Sequence, residues 1–317
     1  MASPTEIQER VSFESERRAR LAVPAVAGGV LYLLSGIILS AALKELPAVG
    51  VVQGLEPALR GRAAPVVSPR APEVRYINHH AFYLLAGTLL TALAVSALTV
   101  VLLFLLDATA FRRHSWPAAR PLVLVGGFGV ALLNLVHEVV LVIEAHKFAS
   151  GGDFSGKAVE KALLTSGSVG IVLGLLGLFA ALALAIGMIA TMMGTMRAGL
   201  LARWLSVLGI LSGLLFLPFF GTPTLQLIPT FWLVATGILL MGRFPNGDPP
   251  AWAAGEARPW PTQAEQRAQR EAAKGGGGSA ARGKGSGKES SNGAALGDVA
   301  PEPTPVSGGS RRKRRKR

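Results

Sequence analysis

Six apolar runs, at 21–43, 81–106, 121–145, 168–193, 204–220 and 224–242, constrain this chain more than any other feature. Each can cross a ~30 Å hydrocarbon layer as a helix rising ~1.5 Å per residue, the fifth with least to spare. Lipid offers a backbone no hydrogen-bond partners, so runs of this kind must be helical. The sequence therefore predicts an all-α protein with a polytopic bundle of six spans over 21–242. An amphipathic lead-in helix at 1–20 precedes it, and a mostly disordered basic tail at 243–317 follows.

Half of the residues are hydrophobic and 16% are charged, which fits a membrane domain with a polar tail. The chain has no cysteine, so disulfides, thiolate metal sites and thiol catalysis are excluded. The first run is longer than the apolar core of a signal peptide and follows a charged stretch of some 20 residues. It reads as a signal anchor that stays in the membrane.

The net charge of +13 is unevenly placed. Most Lys and Arg fall in the two termini and in the loops that share their side. Arg17, Arg18, Arg20, Arg112, Arg113, Arg197 and Arg203 flank spans on that side. The positive-inside rule then puts both termini in the cytoplasm. Trp116, Trp204, Trp252 and Trp260 lie near the same face, as an interfacial belt does.

Ser3, Pro4 and Glu6 form a capping box with proline at the first helical position. Glu6 with Arg10, Glu14 with Arg18 and Glu16 with Arg20 are i,i+4 pairs of the favourable orientation, predicting a solvated helical lead-in. The loop at 44–80 holds Pro47, Pro57, Pro65, Pro69 and Pro72, which argues against regular structure there. The loop at 146–167 predicts a short helical extension of the fourth span, with Ala158, Val159, Ala162 and Leu163 on its apolar side.

Gly167, Gly170, Gly174, Gly177 and Ala181 place small residues along one seam of the fourth span. Ser206, Gly209 and Gly213 do so in the fifth, and Gly36 and Ser40 in the first. Such seams serve close packing within a bundle or association between chains, and packing within the bundle is the simpler reading. Pro218, Pro229, Phe216, Phe219, Phe220, Phe231 and Trp232 crowd the hairpin of spans five and six. Core packing accounts for them more simply than an aromatic ligand pocket does.

The third span alone carries ionisable residues. At 100° per residue Asn134, His137, Glu138 and Glu144 fall within an arc of about 120°. Glu138 lies roughly 7.5 Å outward of the span centre. An acidic residue there costs ~2.5–3.5 kcal/mol on insertion scales, so it should face the bundle or a wet cavity, with Asn134 in reach to bond it. A Glu and a His at this depth form a minimal proton relay or a solute site; equally, they form polar glue between helices. No other span supplies a charged partner, and no inverted repeat is apparent.

His79, His80, Glu144, His146 and Asp153 share the outer side, but there is no HExxH spacing to make a metal site of them. Ser166-Gly167-Ser168-Val169-Gly170 lacks the first glycine of GxSxG, and Walker-type loops are missing. Neither a catalytic residue nor a cofactor is predicted.

After a collar reading GRFPNGDPPAWAAGEARPWP from Gly242, residues 273–310 are too rich in Gly, Ser, Ala and Lys to fold. The chain ends in Arg311, Arg312, Lys313, Arg314, Arg315, Lys316 and Arg317. At ~1 kcal/mol per basic residue this cluster suits anionic lipid headgroups. Nucleic acid or a ribosome is the rival partner, disfavoured because no aromatic residue interleaves the cations.

The runs MRAGLLARWLSVLGILSG at 196–213 and FWLVATGILLMGRFPNGDPPAWAAGEARPWP at 231–261, the basic terminus and the opening ERRARLAVPAVAGGVLYLLSGI are distinctive together. The chain resembles an uncharacterised actinobacterial family of multi-spanning membrane proteins. That resemblance implies a bacterial plasma-membrane location and transfers no activity. The sequence as a whole predicts a non-enzymatic, membrane-embedded interaction or scaffold component, with a membrane-protein partner or a second copy as its companion. The alternative is a small-solute or proton-linked transporter using the stripe of span three.

Overall fold

The computed structural model describes residues 4–47, 59–61, 67–217, 226–244, 247–258 and 267–268. Contacts divide the chain into Met1–Pro261 and Thr262–Arg317, and the helices below all belong to the first unit. In chain order they are α1 (Pro4–Leu43), α2 (Ala71–His79), α3 (Ala81–Arg112), α4 (Ala119–Gly151), α5 (Gly156–Ala162), α6 (Ser168–Ala198), α7 (Arg203–Leu215), α8 (Leu227–Leu240) and α9 (Pro250–Ala254). Among the described residues there is no strand.

α1, α3, α4 and α6 are long and apolar enough to cross a membrane, which makes the chain a membrane protein. Among the described residues, the fifth and sixth predicted spans are helical over 13 and 14 residues. Those lengths reach about 20 Å, short of a full hydrocarbon layer. Gly213 of α7 approaches Ala185 and Met188 of α6, so the last residues of α7 lie near the middle of α6.

Neighbours close a ring: α1 packs on α3, α3 on α4, α4 on α6, α6 on α7, α7 on α8, and α8 back on α1. Small residues allow these approaches. A methyl group on Gly126 would strike the Leu184 backbone, one on Gly29 the Val234 side chain, and one on Gly209 the Met192 and Trp232 side chains. Packing within the bundle thus accounts for the seam of the fifth span. Ser35 adds a polar tie, donating from Oγ to the Gly87 carbonyl at 2.9 Å. Trp232 is wholly buried and donates to the Leu205 carbonyl at 3.0 Å, as core packing requires, whereas Phe231 is exposed.

Several local expectations change. The lead-in is not a separate element but the first half of the 40-residue α1. Of its expected surface pairs, Glu16–Arg20 forms, while Glu14 and Arg18 take distant partners instead. The proline-rich loop contains α2, because Pro72 stands in its first turn, where a missing N–H costs nothing. The 146–167 loop does hold a helix, α5, but it is no extension of the fourth span. Ser155 caps its start, and a turn through Leu164 (φ 55°) and Gly167 (φ 97°) separates it from α6. Ser3, Pro57, Pro65, Pro218, Phe219, Phe220, Trp260 and the basic terminus lie outside the described residues.

The collar folds back onto the end of the bundle that holds the start of α1, here the collar end. Arg18 grips Asp248 with both terminal nitrogens, at 2.6 and 3.1 Å. Arg112, whose side chain has no exposure, grips Glu14 in the same way and donates to the Ala251 carbonyl. Both guanidinium groups lie about 5 Å from the Trp252 ring, which stacks on Phe104 and donates to the Leu200 carbonyl. Trp252 is therefore a core residue rather than part of an interfacial belt; Trp116 and Trp204 remain exposed.

Removing one partner of a buried ion pair leaves an uncompensated charge and costs about 3–5 kcal/mol. An exposed pair contributes ~1 kcal/mol or less. Glu14→Ala should therefore lower the thermal unfolding midpoint in detergent far more than Glu16→Ala. Equal shifts would show that the Glu14–Arg112 pair does not hold the collar end together.

Candidate functional site

Along α4 two packed stretches flank an open one. Val123, Gly126, Gly127, Val130 and Ala131 are buried, no residue from 132 to 144 is, and burial resumes at Ala145 and Phe148. α6 shows the matching pattern, with no buried residue over 168–179 and close packing from Ala180 onward. The main core occupies the collar end and centre, built on residues such as Leu98, Leu184, Met188 and Trp232. A second core at the far end joins Ala42, Val74, Ile77, Leu84, Phe148 and Val159. Between them α4 and α6 leave an unburied stretch, here the cleft.

The polar stripe lies in that cleft. Gly126 meets Leu184 and Gly129 meets Ala180, so in this antiparallel pair Asn134–Glu138 stand about level with residues 172–176. Asn134 and Glu138 point to the same side of α4 as Gly127, where an added methyl group would meet Thr99 of α3, and His137 lies nearer the side of Gly126, which meets α6. Leu132, Val139 and Ile143 point the opposite way and are exposed. Yet Asn134 is exposed, and His137 and Glu138 are only half-buried. At about the same level of α6, a methyl group added to Gly174 or Gly177 would meet nothing within 4 Å. The small-residue seam of the fourth span therefore splits. Ala181 packs inside the bundle, Gly170 abuts the Leu164 carbonyl, and Gly174 and Gly177 face open space.

Among the described residues, Asn134, His137 and Glu138 make no hydrogen bond or ion pair with another side chain. The expected Asn134–Glu138 bond is not formed. Glu144 stands apart from the other three, pairing with Lys147 at 2.7 Å near the far end. The stripe thus divides into three unpartnered groups in the cleft and one paired carboxylate at its rim.

Glu144 borders a cavity of about 500 Å³ that the sequence reading did not foresee. Its other walls include Lys157, Glu160 and Lys161 of α5 and Ser166–Gly170 at the start of α6. The signal available was a Ser-capped run with lysines four apart; its closure against α4 depends on the turn at 163–167. The candidate metal ligands do not converge. His80 bonds the Tyr76 carbonyl, His146 faces Asn78, and Asp153 accepts from the Ser155 backbone N–H. That bond and one from the Ser155 side chain hold the Asp153 carboxyl below the usual carboxylate range. Among the described residues no three His, Asp or Glu gather as a metal site.

The fold and the cleft define an all-helical membrane protein with an uncovered polar face in one half of its bundle. No family model, no curated protein and no solved structure matches the chain.

A group that already bonds nothing in the folded chain gives up little when removed. Glu138→Leu is therefore expected to leave the unfolding midpoint unchanged or to raise it. A loss of more than about 1 kcal/mol, the usual worth of a side-chain hydrogen bond, would show that Glu138 ties helices together.

Proposed function

We propose that this chain is a non-enzymatic interaction component of a bacterial plasma membrane, which receives a helix of another membrane protein in the cleft between α4 and α6. The observation that carries this reading is the unpartnered stripe Asn134, His137 and Glu138, at a level of the bundle where Gly174 and Gly177 of α6 are also bare. Lipid tails satisfy none of these polar groups, so an exposed stripe at this depth is costly. A helix presenting Ser, Thr, Asn or Gln answers them, and the glycines let its backbone come close.

In this reading α7 and α8 belong to the fifth and sixth crossings, at 204–220 and 224–242, and both termini lie in the cytoplasm. The flanking arginines Arg17, Arg18, Arg112, Arg113, Arg197 and Arg203 support that orientation. The resemblance to the actinobacterial family supports the location. The terminal cluster Arg311–Arg317 would then meet anionic lipid on the same side.

One observation favours a second reading, transport of protons or a small solute. Glu138 and His137 lie on the packed side of α4, unpaired and not sealed. The two readings separate experimentally. A photo-crosslinker at Gly177 should give a product with a partner protein in native membranes, one at Val172 should not, and Asn134→Leu with Glu138→Leu should abolish the product. Crosslinks to lipid or to a second copy alone would sink the interaction reading. Proton-linked flux in reconstituted vesicles that Glu138→Gln abolishes would install the transport reading in its place.

A further inference from the structure

We infer that the cavity beside Glu144 is a binding site for the headgroup of a zwitterionic phospholipid carrying a primary amine. The inference rests on the chain lying in a membrane, and none of its polar contacts is Asn134, His137 or Glu138.

The walls of the cavity carry an unbalanced set of charges. Glu144 is already neutralised by Lys147 at 2.7 Å. Lys157, Lys161 and Glu160 line the same space, are exposed, and make no ion pair among the described residues. Two free ammonium groups and one free carboxylate remain. The start of α6 adds to them: Gly167 supplies no side-chain cap, so the first-turn N–H groups lack the partner a capping side chain gives. Those donors and the two lysines suit one phosphodiester, and Glu160 suits one ammonium.

The setting selects a lipid over a soluble phosphate. The cavity sits at the end of the membrane-crossing helices α4 and α6, at the depth of headgroups. Val169 lines the cavity and is more than half exposed. Below it on α6, Val172, Leu176 and Phe179 follow at helical spacing and are exposed too. These four side chains make an apolar track that leads from the charged cavity into the hydrocarbon, on which acyl chains can lie. A volume of about 500 Å³ accommodates a headgroup and glycerol with the chains outside.

Native mass spectrometry of the full-length protein in detergent tests this, with dioleoyl phosphatidylethanolamine, dioleoyl phosphatidylglycerol and soluble glycerophosphoethanolamine as probes. The aminophospholipid should bind best. Lys157→Ala with Lys161→Ala should weaken it about tenfold or more, at ~1 kcal/mol per cation. Both lysines are exposed, so folding is not at stake. Glu160→Gln should remove the preference over phosphatidylglycerol while leaving binding of the latter intact. Glu138→Leu should change nothing, which keeps the outcome distinct from that of the cleft. Unchanged binding in the double lysine variant would overturn the site. Equal affinity for the soluble headgroup would overturn its assignment to a lipid, and equal affinity for phosphatidylglycerol in the unmodified protein would overturn the amine.

Discussion

A peptide group in hydrocarbon must find its hydrogen-bond partner within the protein, and the rest of this structure follows from that constraint. It makes helices of the apolar runs and leaves side chains to decide how the helices meet. Within the layer the hydrophobic effect gives no reason for one apolar helix to prefer another over lipid, so contact depends on close approach and on polar ties. Gly126, Gly29 and Gly209 supply the approach at crossings where a methyl group would collide. Ser35 and Trp232 supply ties to neighbouring carbonyls.

Where the chain leaves the layer, charge takes over. The collar end is closed by two buried arginines sharing one tryptophan, each also gripped by a carboxylate from elsewhere in the sequence. The far end is closed by a small second core under α2 and α5. Between these fastened ends burial lapses along both α4 and α6, and there the polar stripe and the bare glycines lie at one level. The cleft is the space left between two zones of packing, and its chemistry comes from Asn134, His137 and Glu138 of α4.

The sequence made the apolar runs, the helical class and the stripe legible, because each depends on local composition and helical period. It also placed Ser206, Gly209 and Gly213 correctly as packing residues. The collar contacts were not legible: Arg18 and Asp248 are 230 residues apart, and nothing local sets such a pairing against the closer Glu14. α2 was missed because proline was read as a breaker when Pro72 occupies a first turn that favours it. Trp252 was taken for a belt residue because its distance from the last span says nothing about the chain folding back. For Asn134 and Glu138 the period gave the correct face, but whether a neighbour covers that face depends on how α6 runs past α4.

The uncovered cleft is the central claim, and a nitroxide scan along α4 tests it most directly, since a chain without cysteine accepts single-cysteine labels cleanly. With a polar relaxation agent in reconstituted membranes, labels at Val123→Cys and Ala131→Cys should be protected. Labels at Asn134→Cys and Glu138→Cys should be accessible, and protection should return at Ala145→Cys and Phe148→Cys. Continuous protection from 123 to 148 on that side of the helix would contradict the account.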